Sequence, residues 1–111
     1  MKTLNLHKEI KDFNGKPISS QNGTMVMKDL YLHYLGLFTS QNGKDVINAY
    51  KLGVIIADCK KDTLEIENAD FLLIKQATQK PQHGALAMGQ LYEELEQIEK
   101  ESDSKKKDKP K

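Results

Sequence analysis

The tetrapeptide Ser-Gln-Asn-Gly occurs twice in this chain, at 20–23 and 40–43, and each copy runs directly into a stretch with helical apolar spacing. Asn-Gly interrupts regular structure because glycine accepts positive φ freely and asparagine tolerates it. The two copies therefore bound one helix and open the next. Thr-Met-Val-Met-Lys-Asp-Leu-Tyr follows the first copy and Lys-Asp-Val-Ile-Asn-Ala-Tyr the second, and these align only with a gap. A solenoid needs further copies, so the duplication is punctuation rather than a repeat.

Between the two markers Met27, Leu30, Tyr31, Tyr34, Leu35 and Phe38 recur at spacings of three and four, which puts all six on one helical face. The pattern predicts a helix over 25–39, with Thr24 as its N-cap and Gly36 a weak spot near its end. A second helix, over 44–60, has Val46, Ile47, Tyr50, Val54 and Ala57 on one side and Leu52, Ile55 and Ile56 elsewhere. Apolar residues nearly encircle its second half, as expected for the central helix of a bundle or for one that covers a partner surface.

The flanking segments carry a different period. Leu4, Leu6 and Ile10 fall at even positions among polar residues, with Lys8 interrupting, the period-two signature of a strand with one buried face. Asn14-Gly15 offers a tight turn, and Pro17 confines the returning segment to an edge, so the first twenty or so residues read as a small β-ribbon. Residues 63–67 alternate like a short strand, Asn68 is placed to cap a helix over 69–79, and Pro81 stops it. A last helix over 84–100 aligns Met88, Leu91, Tyr92, Leu95 and Ile98 opposite a dense acidic side. The fold class expected is α+β, mainly α: an N-terminal β-ribbon followed by a bundle of about four helices.

With 111 residues the chain has the length of one domain. Residues 84–101 carry five glutamates against one lysine, whereas 102–111 carry five lysines and two aspartates and none of the residues that pack a core. The expected division is a globular domain over 1–101 and a disordered Lys-rich tail over 102–111. All 17 basic residues are lysine, which lacks the bidentate fork that reads guanine edges and clamps phosphates. No apolar run approaches a membrane span, no signal-peptide core follows Met1, and Cys59 has no second cysteine to pair with, so a cytoplasmic protein is expected.

Candidate chemistry is sparse. His7, His33 and His83 lack any partner at metal-ligand spacing. Cys59 precedes Lys60 and Lys61 but sits at a helix C-terminus, where the dipole opposes a thiolate, and no histidine accompanies it. Glu65 and Glu67 share one side of a strand edge rather than facing each other across a cleft. The residues assemble no acid, base, nucleophile and oxyanion set, so the expectation is a non-enzymatic protein with no catalytic residue, metal ligand or cofactor.

Three stretches, Phe13-Asn-Gly-Lys-Pro-Ile18, Ala49-Tyr-Lys-Leu52 leading to Leu64-Glu-Ile66, and Ala87-Met-Gly-Gln90 before a Glu-rich helix, follow one another in an order that resembles a group of small bacteriophage-encoded helical proteins. The resemblance runs loosely over residues 1–100 and implies an assembly factor or chaperone of the tail-chaperone kind, with no catalytic residue to carry over. Where members of that group often have Pro-Leu before the last helix, this chain has Pro81-Gln82-His83-Gly84.

The leading functional expectation is thus a protein-interaction module, acting on a phage or host protein or associating with itself as a dimer, through Leu32, Leu52, Ile55 and Ile56. The competing one is a nucleic-acid-associated or host-interference regulator that uses the lysine tail with Lys2, Lys8, Lys11 and Lys16, its binding steeply salt-dependent and nearly blind to sequence. The face assignment also predicts that Tyr34 and Phe38 pack near Tyr50 and Val54. On that assignment Leu30→Ala costs about 2 to 5 kcal/mol, and Leu32→Ala leaves the melting temperature almost unchanged.

Overall fold

A computed structural model describes residues 1–20 and 23–108, with Ser20 and residues 102–108 traced by their backbone alone. Strand β1 (Lys2–Asn5) pairs antiparallel with β4 (Thr63–Ile66), in a register that sets Leu4 opposite Leu64 and Lys2 opposite Ile66. Leu6 extends the ladder by donating its N–H to the Asp62 carbonyl at 2.7 Å. Leu4, Leu6 and Ile10 are fully buried, as their period-two spacing predicts. The partner of β1 is nevertheless not the segment that returns from the Asn14-Gly15 turn. That segment closes a separate small hairpin: Asp12 N–H donates to Lys16 O, Ile18 N–H to Ile10 O, and Gly15 holds φ at 82° in the turn.

The first Ser-Gln-Asn-Gly copy marks another hairpin rather than a helix start. Strands β2 (Ser19–Ser20) and β3 (Gly23–Thr24) pair Ser19 with Thr24 and Ser20 with Gly23, whose φ of 114° only glycine adopts at low cost. Gln21 and Asn22 lie outside the described residues. Thr24 is therefore strand, not N-cap, and helix α1 spans Met27–Gly36. Its first free N–H groups are satisfied by the β-ribbon: Met27 donates to the Lys8 carbonyl and Lys28 to the Leu6 carbonyl, both at 2.9 Å. Asp29 Oδ2 reaches back to accept from the Val26 N–H at 3.0 Å.

The second copy does open a helix. Asn42 caps α2 (Gly43–Asp58), its side-chain oxygen accepting from the Lys44 N–H at 3.0 Å. At the other end Lys28 Nζ donates to the carbonyls of Ala57 and Cys59, both at 3.2 Å, placing a cation where the helix dipole favours one. Helices α1 and α2 are antiparallel neighbours, with Lys28 beside the C-terminus of α2 and Leu35 against Gly53. Helix α3 (Asn68–Ala77) follows β4, with Glu67 rather than Asn68 in the cap position, and α4 spans Ala85–Asp108. Part of the expected lysine tail thus falls on the α4 backbone, and residues 109–111 lie outside the described residues.

One core joins these elements. Met27, Leu30, Tyr31, Tyr34 and Leu35 of α1 meet Ala49, Leu52 and Ile56 of α2, Phe71 and Ile74 of α3, and Met88, Leu91, Leu95 and Ile98 of α4. Tyr92, expected on the α4 core stripe, is 38% exposed, and its place is taken by Glu94 at 3%. The Glu94 carboxylate accepts from Asn5 Nδ2 and Lys8 Nζ, each at 2.7 Å. The architecture is α+β and mainly α, with four helices and short antiparallel strand pairs among the described residues.

Leu30 is fully buried, and Leu32, instead of facing solvent, is half-buried against the core. By chemical denaturation Leu30→Ala is expected to lose about 2 to 5 kcal/mol, and Leu32→Ala about 1 kcal/mol rather than nothing. Lys8→Ala leaves the Glu94 carboxylate buried with Asn5 alone, and the same measurement should show a loss of about 1 to 3 kcal/mol.

Candidate functional site

Helix α2 carries two apolar stripes, and the core takes only one of them. Ala49, Leu52 and Ile56, at spacings of three and four, are buried against α1 and α3, while Val46, Ile47, Tyr50 and Val54 stay on the outside. Tyr50 is 71% exposed and Ile47 55%, large values for side chains that lose so much by contact with water. The spacing sets Tyr50 and Val54 of this stripe against α1. The structure turns α2 further: the face with Ala49, Leu52 and Ile56 meets α1 and α3, and Tyr50 and Val54 only edge the cleft beside α1.

Between the exposed stripe and α1 lies an open cleft of about 380 Å³. Leu32, Leu35 and Phe38 form one wall, Val46, Tyr50 and Val54 the other, and Ala49, Gly53 and Ala57 keep the floor low. Gly53 has only Leu35 Cβ near it, at 4.0 Å from where a Cβ would stand, so the cleft is open where a larger residue would begin to fill it. Leu37, at the end of α1, adds a further exposed apolar side chain.

The four residues expected to meet a partner separate on this surface. Leu32 lines the cleft, and Ile55 is exposed on the far flank of α2. Leu52 and Ile56 are 2% and 0% exposed, enclosed by the core, and offer nothing for a partner to touch. Val46, Ile47, Tyr50 and Val54 are the surface residues that the expected partner-binding set left out. Phe38 does share the cleft with Tyr50 and Val54, but Tyr34 turns away from α2 and into the segment before α4.

There Tyr34 Oη accepts from the Gln82 backbone N–H and lies 2.8 Å from His83 Nδ1 and 3.1 Å from Met88 Sδ. His33 stands edge-on to His83, with ring centroids 4.9 Å apart, and its Nε2 lies 3.0 Å from Gln82 Oε1. Burial, and then the neighbouring His33, hold the His83 pKa below the ordinary imidazole value. Elsewhere His7 Nδ1 lies 2.8 Å from Asp62 Oδ1 near the start of β4, and Cys59 Sγ is within 3.9 Å of the Lys61 and Thr63 carbonyls, a distance typical of a thiol held in place by backbone. Among the described residues no three histidine, cysteine, aspartate or glutamate side chains are gathered in a way that would hold a metal ion. No described helix is long and apolar enough to cross a membrane.

No family model, curated protein or solved structure matches this chain.

The histidine pair makes stability depend on pH in a defined direction. Because the folded pKa of His83 lies below its unfolded value near 6.5, the unfolded chain takes up the proton first. The contribution is present above pH 6.5 and is lost as pH falls through the folded pKa. Glu99, held below its ordinary 4.5 by the Lys75 ammonium at 2.7 Å, loses its contribution in a separate, lower window. Thermal unfolding followed from pH 8 to about pH 2 should show the melting temperature falling in both windows, with His83→Asn flattening only the upper one.

Proposed function

We propose that this protein is a non-enzymatic interaction module that receives an apolar helical segment of another polypeptide chain along the α1–α2 cleft. One observation carries this reading: a continuous strip of large apolar side chains, Val46, Ile47, Tyr50 and Val54, stays outside the core along one side of α2 and borders an open cleft lined by apolar residues. Leaving such side chains in water forfeits burial energy that a contact would recover, and solvent-facing strips of this kind mark interaction sites. Tyr50 suits the role in particular, since its ring offers apolar area and its hydroxyl still reaches a polar rim. A helix lying in the cleft would rest on Leu32 and Phe38 on one side and on Val46 and Val54 on the other, the usual way in which an amphipathic helix enters a groove.

The bacteriophage resemblance supplies a setting for that activity, in which an assembly factor or chaperone covers an apolar segment of a partner until the partner is built into a larger structure. In this setting the protein does no chemistry and acts by occupancy alone.

A photo-cross-linking amino acid in place of Tyr50 tests the reading directly in cells that express the full chain. A discrete cross-linked product is expected from position 50, much weaker when Val54→Glu is added, and none from a probe placed at Glu65 on the exposed side of β4. Equal labelling from both positions, or none from either, would sink the proposal.

A further inference from the structure

The charges beside the apolar strip of α2 indicate what covers it. Lys44 stands in the first turn of the helix and Asp58 is its last residue, and both are exposed. Neither side chain enters an ion pair or hydrogen bond found among the described residues. Each opposes its own helix, since the N-terminus carries partial positive charge and the C-terminus partial negative charge. The two are 14 residues apart (58 − 44), close to four turns, so they occupy the same flank of α2 at a separation of roughly 21 Å.

We infer that the α2 face is covered by a second copy of this chain, packed α2 against α2 in antiparallel fashion about a two-fold axis near Tyr50 and Lys51. The inference rests on the reading of that face as a docking surface and names its occupant. Reversing the helix direction brings Lys44 beside Asp58 of the second copy, and symmetry makes the same contact twice. Each charge then also lies at the end of the neighbouring helix whose dipole favours it. A parallel pair would instead set Lys44 against Lys44 and Asp58 against Asp58.

The apolar strip is centred close to the same point. The charge pairing centres the axis on residue 51, the midpoint of 44 and 58, and places Ile47 opposite Ile55 of the second copy. The apolar strip centres on Tyr50, the midpoint of Val46 and Val54, and sets Val46 opposite Val54 of the second copy. The two centres differ by one residue, which slides one helix past the other by two residues, or about 3 Å, less than one helical turn. Lys51 lies near the axis on the charged flank, where it is exposed and its long stem carries the ammonium out into water. A face with opposite charges at its two ends is complementary to itself when turned around, which an unrelated partner has no reason to match.

Sedimentation equilibrium of the full-length chain over a wide concentration range, at low and at physiological salt, tests this. The wild type is expected to dimerise reversibly. Lys44→Asp and Asp58→Lys should each weaken the dimer about tenfold at low salt, and the two exchanges combined should restore it, because the charges are then swapped rather than lost. Ile47→Asp, at a solvent-facing position, should give a monomer with an unchanged far-ultraviolet circular dichroism spectrum. A wild type that stays monomeric throughout, or a double exchange as weak as the single ones, overturns the inference. A monomer whose Tyr50 probe still cross-links a different protein overturns self-pairing and leaves the docking surface standing, whereas a monomer with no cross-link removes both.

Discussion

A single buried carboxylate ties the two ends of this fold together. Glu94 sits on the core face of α4 between Leu91 and Ile98, and it is satisfied only where Asn5 and Lys8 arrive from the N-terminal segment. Burying a carboxylate costs more than one ion pair commonly returns, so most of the energy holding α4 in place comes from Leu91, Leu95 and Ile98. What the charged contact supplies is register, because sliding α4 by one turn would leave the charge in the core without a partner. The Tyr31 hydroxyl lies buried in the same interior with no hydrogen-bond partner among the described residues, and burial together with the Glu94 charge pushes its ionisation well above the ordinary phenol range. The β1 strand and helix α1 take their positions from this arrangement, since the carbonyls of Leu6 and Lys8 close the N-terminus of α1.

Several elements were legible from spacing alone, and the failures have specific causes. The stripe from Met27 to Leu35 is a single apolar face on an otherwise polar helix, and all five of its residues are buried. Leu4, Leu6 and Ile10 were equally plain. On α2 the pattern misled because two stripes compete, and periodicity cannot rank them without knowing how many neighbours the helix has. The stripe that lost is the one with Tyr50, whose hydroxyl tolerates water better than Leu52 or Ile56 does. Glu94 was assigned to the acidic side by its charge, although its position three residues after Leu91 and four before Ile98 puts it on the core stripe. Position outranks charge there because Lys8 and Asn5, some ninety residues away in sequence, provide for it. The two Ser-Gln-Asn-Gly copies have the same local chemistry and different outcomes, since the first is flanked by residues that pair as strands and the second by Lys44 and Asp45, which begin a helix.

The outward stripe of α2 also shows how a small chain divides its apolar residues. Helices α1, α3 and α4 bury most of theirs in one shared core, and α2 contributes to that core through Ala49, Leu52 and Ile56. The two functions of α2, closing the core and presenting a face, are carried by residues of different shape on opposite sides of one helix. Small residues at Gly53 and Ala57 keep the presented side open, and Lys28 secures the end of the helix from below by holding its last carbonyls. The exposed face is thus mounted on a rigid element rather than on a loop.

Strand β1 leaves the ribosome well before its partners, since the strand that pairs with it begins at Thr63 and the carboxylate that meets Asn5 and Lys8 is Glu94. At ordinary rates of synthesis the 89-residue separation of Asn5 and Glu94 corresponds to about 4 to 18 s during which Leu4 and Leu6 lack their full core. Over that interval the helical hairpin of α1 and α2 is the largest unit able to form from local contacts, and its outer strip is complete before the core beneath it has closed. A nascent chain of this protein therefore presents its sticky helix to its surroundings before it has finished becoming a folded molecule.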